Sequence, residues 1–184
     1  QRQQIYQELD EEGVLEIDES AFIKKGTKSA GVSRQYCGRI GKVDNCQVGV
    51  FVTLATSTMS AFLACRLYVP QVWCDDESRR HDTQIPDEVV FQTKPQLAQA
   101  MLDKVWQEGV TANYVTGDSL YGNSHGLRNF IHNSDHLYVL SIGSHHKVVH
   151  DRIRQDLLTI TQTIKEPEWE ELTFTLADTG WVTY

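Results

Sequence analysis

Apolar and polar positions alternate with a period of two near the start of the chain. In Gly13-Val14-Leu15-Glu16-Ile17-Asp18, Leu15 and Ile17 fall on one side and Glu16 and Asp18 on the other, which predicts a strand. A loop rich in Lys, Gly and Ser follows. Two β-rich runs, Ser33 to Ile40 and Asn45 to Ala55, flank a tight turn at Gly41-Lys42. Ser57 to Ser60 marks another turn, and Ala61 to Val69 predicts a third strand. These strands form an antiparallel meander.

The period then changes. A polar, charged loop runs from Pro70 to Pro86. Beyond it Leu97, Met101 and Val105 recur every four residues, with Ala98 and Leu102 beside them, predicting a helix from about Lys94 to Glu108 that stops at Gly109. Ala112 to Thr116 is expected as a fourth strand ending at Gly117-Asp118, and Leu137 to Ile142 as a fifth. Gly126 to Asn133 suits a short helix, Val149 to Ile164 a further helix and Leu172 to Leu176 a strand. Three hairpin-linked strands ahead of a crossover helix imply an α/β fold with a mixed sheet, antiparallel first and parallel afterwards. That order occurs in ribonuclease-H-like folds and equally in other α+β domains.

A chain of 184 residues, 40% hydrophobic and 23% charged, is expected to be a single domain (1–184) with a core of its own. The longest apolar stretch, Val48 to Ala55, is too short to cross a bilayer, and the polar opening QRQQIYQELDEEG has no apolar leader segment. A cytoplasmic location is expected, as is truncation at both ends: the chain shown lacks an initiator Met, and its tail LTFTLADTGWVTY carries no expected continuation. Cys37, Cys46, Cys65 and Cys74 lack CxxC spacing and read as reduced thiols. His146 and His150 are four apart and would share one face of a helix, a spacing used in metal sites. No glycine-rich nucleotide-binding motif or hydrolase elbow is present.

Seventeen Lys and Arg against 25 Asp and Glu give a net charge of −8, which argues against a simple nucleic-acid-coating module. The distribution changes that picture. Lys24, Lys25, Lys28, Arg34, Arg39 and Lys42 lie in one stretch with no acidic residue among them. Such a tract suits a polyanion such as a DNA backbone, or a solvated loop and hairpin.

Two acidic residues stand out by position. Asp18 follows the apolar positions of the first strand, and Asp118 ends the fourth. If those strands are parallel neighbours, both carboxylates converge at one edge of the sheet, where ligands of open α/β sheets sit. Converged carboxylates repel unless a cation separates them, and hard oxygen donors favour Mg²⁺ or Mn²⁺. Two such ions roughly 3.5–4 Å apart can clamp the attacking and leaving oxygens of a phosphodiester displacement. Two strand-end aspartates can also serve only as turn or helix-cap groups.

These residues also carry a family resemblance. The run Asp18-Glu19-Ser20-Ala21-Phe22-Ile23-Lys24-Lys25-Gly26, followed by Ser29 to Tyr36 and Gly41 to Val50, resembles the catalytic core of bacterial insertion-sequence DDE transposases, in the subgroup of DDE superfamily endonucleases. LYVPQVWCDD (67–76), FQTKPQLA (91–98), YVTGDSLYG (114–122), LRNFI (127–131) and YVLSI (138–142) follow in the family's order. The resemblance covers about residues 13–145. It implies a ribonuclease-H-like fold and Mg²⁺- or Mn²⁺-dependent DNA cleavage and strand transfer. Asp18 and Asp118 would be the first two acidic residues and the metal ligands. DNA, as element ends and target, would be the partner, in a nucleoid-associated protein that needs no membrane; a homodimer is compatible with it. Lys24, Lys25, Lys28, Arg34 and Lys42 are then the expected DNA contacts. The family's third acidic residue has no match here. Glu166, Glu168, Glu170 and Glu171 are available, but none lies in the family's motif. A catalytically silent DNA-binding or assembly module and a general metal-dependent nuclease are the competing readings.

Overall fold

A computed structural model describes residues 13–110, 112–150, 152–165, 173–176 and 180–183. The chain divides into two compact units, Gln1–Ile142 and Gly143–Tyr184.

The first unit is built on a six-stranded mixed sheet. Its strands are β1 (Val14–Ile23), β2 (Ser33–Cys37), β3 (Lys42–Ala55), β4 (Ser60–Tyr68), β5 (Tyr114–Gly117) and β6 (Tyr138–Leu140). β3 pairs with β1 along one edge, antiparallel. Its other edge is shared: residues 42–46 pair with β2 and residues 48–55 with β4, both antiparallel. On the far side β1 pairs in parallel with β5, and β5 in parallel with β6. This is the ribonuclease-H-like arrangement, reached because the parallel pairs are joined through helices.

One face of this sheet is packed. Leu15 and Ile17 of β1 and Val50, Val52 and Leu54 of β3 are buried against α3 (Lys94–Gln107), which turns Leu97, Ala98, Met101, Leu102 and Val105 inward. Burying each such aliphatic side chain contributes about 1.5–3 kcal/mol. Thr93 starts the helix with a capping box: its side chain accepts from the Gln96 backbone, while the Gln96 side chain reaches back to the Thr93 N–H. α4 (Ser119–Gly122) and α5 (His125–Asn133) add Tyr121, Leu127 and Ile131 to the same core. Between β3 and β4 the register slips after Val52, leaving Leu63 as an extra, buried residue in a bulge. The opposite face presents Glu16, Asp18, Ser20 and Phe22, all exposed.

Three segments differ from the sequence expectation. β1 continues to Ile23, five residues past Asp18, because β3 pairs with it throughout. The polar stretch after β4 contains two short helices, α1 (Gln71–Cys74) and α2 (Glu77–Asp82). Asp76 caps α2 by accepting from the Arg79 N–H, a signal hidden in a stretch too short to show periodicity. In the second unit, the helix expected over Val149 to Ile164 is instead a hairpin followed by a short helix. Its strands are β7 (Lys147–His150) and β8 (Ile153–Asp156), and the helix is α6 (Leu157–Thr161). Val148, Val149 and Ile153 are β-branched, and the two-residue connection places Arg152 at φ 65. His146 precedes the hairpin and His150 ends its first strand, so the shared helical face does not exist. β9 (Thr173–Leu176) and β10 (Gly180–Thr183) form a second antiparallel pair in this unit.

Gly122, at the end of α4, has no room for a side chain: a Cβ there would overlap the Ser141 carbonyl just past β6. Gly122→Ala is expected to destabilise the protein by about 1–3 kcal/mol, the usual cost of overpacking. A thermal or urea melt reads this directly, and an unchanged midpoint would contradict the packing described.

Candidate metal and nucleic-acid site

The β1–β5 ladder ends at the pair Ile17 and Gly117. Asp18 and Asp118 are the next residues on each strand. Neighbouring strands lie about 4.8 Å apart, so the two aspartates leave the ladder side by side. Asp18 falls in the outward phase of β1, opposite Phe51 of β3. Asp118 is the N-cap of α4, and its Oδ1 accepts from the Leu120 N–H at 2.9 Å. Asp18 Oδ1 accepts from the Glu19 N–H at 2.8 Å. In each carboxylate one oxygen is thus fixed by backbone, which orients the other.

Asp18 is exposed as a residue, but partial withdrawal of its carboxyl from water is the main cause that raises its pKa above the ordinary value, and the neighbouring charges of Glu19 and Asp118 add to it. The Glu19 N–H and the Lys94 ammonium act in the opposite direction without cancelling the rise. Two carboxylates are therefore held close enough to repel. A divalent cation relieves that repulsion, and an all-oxygen donor set is the type that Mg²⁺ and Mn²⁺ accept. The residues fit such an ion as two of its ligands. Among the described residues no group of three or more His, Cys, Asp and Glu forms a complete metal cage. Glu166, Glu168, Glu170 and Glu171 lie outside the described residues.

Directly behind Asp18 lies a second carboxylate with a different role. Glu19 occupies the inward phase of β1, alongside Leu15 and Ile17. Its Oε1 accepts from Lys94 Nζ at 2.8 Å and its Oε2 from the Tyr121 hydroxyl at 2.7 Å. The Lys94 and Glu19 side chains are only 19% and 23% exposed, so this ion pair is better shielded from water than a surface pair. Tyr121 is fully buried; burial first and the Glu19 carboxylate second push its pKa far up, so it stays a donor. A hydrogen bond to a charged group contributes about 1.5–3 kcal/mol. Glu19 thereby ties β1 to α3 and α4 behind the Asp18–Asp118 pair. The sequence reading missed Glu19 and Lys94. A charge in the apolar phase of a strand was the available signal.

Arg128 Nη1 donates to the Gly122 carbonyl, so Tyr121 and Arg128 both serve the local frame. Trp73 is buried, with its Nε1 donating to the Val32 carbonyl at 2.7 Å. The basic residues are at the surface. Lys25, Lys28, Arg34 and Lys42 are exposed and Lys24 is half-buried. Lys24, Lys25 and Lys28 follow β1 in a loop, Arg34 is in β2, and Lys42 opens β3, 3.9 Å from Asp44.

Comparison with known proteins decides the family. The pattern of DDE superfamily endonucleases matches residues 2–157. The chain belongs to the DDE superfamily endonucleases. It is also 37% identical over 138 residues to the probable transposase for insertion sequence element IS701 of Microchaete diplosiphon, a match covering 73% of this chain. The chain spans 33% of that relative's length. A solved structure from the Ppx/GppA protein family, from Aquifex aeolicus, aligns over 72% of this chain and 36% of its own at a TM-score of 0.26 and 8% identity, a likeness too slight to carry an argument. DDE superfamily endonucleases are typically metal-dependent nucleases, in keeping with the paired carboxylates. No helix among the described residues is long and apolar enough to cross a membrane.

The electrostatics of the pair make a pH prediction. Because the Asp18 pKa is raised in the folded protein, its contribution to stability is present below the ordinary value of 3.8 and is lost as the pH rises through the folded value. At pH 7 Asp18 therefore opposes folding. Asp18→Asn should melt at a higher temperature than the wild type at pH 7 without added metal, and the gap should close as the pH falls toward 3.8. A lower or equal melting temperature at pH 7 would contradict the raised Asp18 pKa.

Proposed function

We propose that this chain is the catalytic core of a DNA transposase, with Asp18 and Asp118 as its first two metal ligands. The observation that carries the reading is the parallel β1–β5 pairing, which ends one residue short of both aspartates. Residues 1–184 are read as one catalytic domain centred on that sheet, acting on element ends and on target DNA in the bacterial cytoplasm, on the nucleoid. A homodimer is compatible with two ends being processed.

The chain's own residues do three things in this reading. Asp18 and Asp118 hold the cation, Mg²⁺ or Mn²⁺, through oxygens oriented by their backbone hydrogen bonds. Glu19, Lys94 and Tyr121 keep β1, α3 and α4 from shifting beneath them. Within the basic tract, Lys24, Lys25, Lys28 and Arg34 supply the local positive field for the DNA backbone on an acidic body, while the expected contact Lys42 lies 3.9 Å from Asp44. When bound, divalent ions polarise the phosphoryl oxygen, lower the pKa of a coordinated water and neutralise the departing oxyanion. Water attacks phosphorus and the P–O bond to the 3′ oxygen breaks, leaving a 5′-phosphate; the freed 3′-hydroxyl then attacks a target phosphodiester, whose own P–O3′ bond breaks so that the target strand's 3′ oxygen leaves as a hydroxyl.

A second reading is a catalytically silent DNA-binding or assembly module, favoured by the pair's lack of a third ligating group among the described residues. A general metal nuclease is a third, which cleaves without joining. Incubation of supercoiled plasmid with Mn²⁺ or Mg²⁺ separates them. The proposal expects metal-dependent nicking and joined products. Asp18→Ala or Asp118→Ala should each lower the rate by more than about 100-fold, the upper end of what loss of a ligand's supporting partner costs. DNA binding without nicking would favour the silent module, and nicking without joining the nuclease.

A further inference from the structure

The loop between β1 and β2 takes a route that the strand pairing forces. Ile23 at the end of β1 and Ser33 at the start of β2 both pair with Cys46, from opposite edges of β3. Residues 24–32 must therefore cross over one face of β3. The hydrogen bonds identify which face. Asn45 Nδ2 donates to the carbonyls of Lys24 at 2.7 Å and Gly26 at 2.9 Å. Gln47 Nε2 donates to the Ala30 carbonyl at 2.6 Å. Asn45 and Gln47 share their phase of β3 with Phe51, the partner of Asp18, while Cys46, Val48 and Val50 turn into the core. The loop crosses on the Asp18 side of the sheet.

Its far end is anchored as well. Trp73 Nε1 holds the Val32 carbonyl at 2.7 Å. Gly31 sits at φ +73, where a Cβ would come within 2.9 Å of the Tyr68 carbonyl, so the backbone lies directly on the end of β4. The loop is thus a braced ridge, with Lys25 and Lys28 exposed on it and Lys24 at its base. Arg34 of β2 pairs with Asn45, so it stands on the same side. Lys42 pairs with Cys37, in the opposite phase of β3, and lies 3.9 Å from Asp44; Arg39 belongs to a separate turn at Gly38–Ile40.

We propose that this ridge is a docking surface for the sugar–phosphate backbone of duplex DNA. Lys24, Lys25, Lys28 and Arg34 make the contacts, and Lys42 and Arg39 do not. Charge complementarity names the occupant: the ridge carries cations only, on a protein whose net charge is −8. Spacing adds to it. Asn45 and Gln47 lie six and four residues from Phe51, which is about 13–20 Å along a strand. Duplex DNA rises 3.4 Å per base pair, so the ridge would meet the backbone about four to six base pairs from a phosphate at Asp18–Asp118. Between them Ser20 faces Gly49, over which the Phe51 ring lies, and Phe22 is half exposed beside the ridge. Only this spacing rests on the proposed role of the aspartate pair; the face of the ridge does not.

Duplex binding measured by fluorescence anisotropy without divalent metal, over a series of salt concentrations, tests the proposal. The full chain is compared with Lys25→Ala/Lys28→Ala/Arg34→Ala, with Arg39→Ala/Lys42→Ala and with Asp18→Ala/Asp118→Ala. The triple variant should lose about 2.7 from the slope of log K against log salt, three contacts at about 0.9 each. It should bind at least about tenfold more weakly at 0.1 M salt, with an unchanged melting temperature. The Arg39/Lys42 variant should keep the wild-type slope, and the aspartate variant, which loses two negative charges, should bind at least as tightly as the wild type. Equal losses in both basic variants, no loss in the triple variant, or no duplex binding by the wild type would each overturn the ridge. Wild-type binding with an intact slope but no metal-dependent nicking would overturn the catalytic reading alone.

Discussion

The structure depends on keeping two like charges together at the point where two parallel strands stop pairing. Backbone hydrogen bonds between β1 and β5 supply the force, and Ile17 and Gly117 form the last pair before Asp18 and Asp118. The hydrophobic core makes that pairing durable, since Leu15 and Ile17 on one strand and Val115 on the other are buried against α3 and its neighbours. The Asp18 pKa is raised there, chiefly by burial, with the Glu19 and Asp118 charges adding to it. In the proposed reading, that cost is what two metal ligands held by the surrounding fold without their cation would show.

Adjacent residues of β1 divide the work because successive side chains of a strand point to opposite faces. Asp18 turns outward. Glu19 turns inward, where Lys94 and Tyr121 hold it, so a carboxylate one residue from the site serves the frame. The same alternation along β3 sends Cys46 and Val48 into the core while Asn45 and Gln47 grip the crossing loop on the outer side.

Much of this was legible in the sequence. The alternation around Leu15 and Ile17 and the four-residue recurrence of Leu97, Met101 and Val105 located the central strand and the main helix. The strand order fixed which aspartates could meet. The rest turned on contacts without a local signature. β1 extends to Ile23 because β3 supports it, and the route of residues 24–32 follows from Ile23 and Ser33 both pairing with Cys46, which only the sheet topology shows. Glu19 was readable in principle as a charge in an apolar phase, but its partners Lys94 and Tyr121 are 75 and 102 residues away. The expected helix after Val149 failed for a local reason, since β-branched residues on either side of a turn outweigh an apolar spacing that also fits a helix.

The central claim is that Asp18 and Asp118 together grip a divalent ion. Anomalous scattering from a crystal of the protein soaked in Mn²⁺ tests it most directly. The account predicts a peak bridging the two carboxylates, at metal–oxygen distances of about 2.0–2.2 Å, the range for small hard divalent ions. Carboxyl groups more than about 8 Å apart, beyond the reach of a two-ion cluster, or a peak only at other residues, would contradict it.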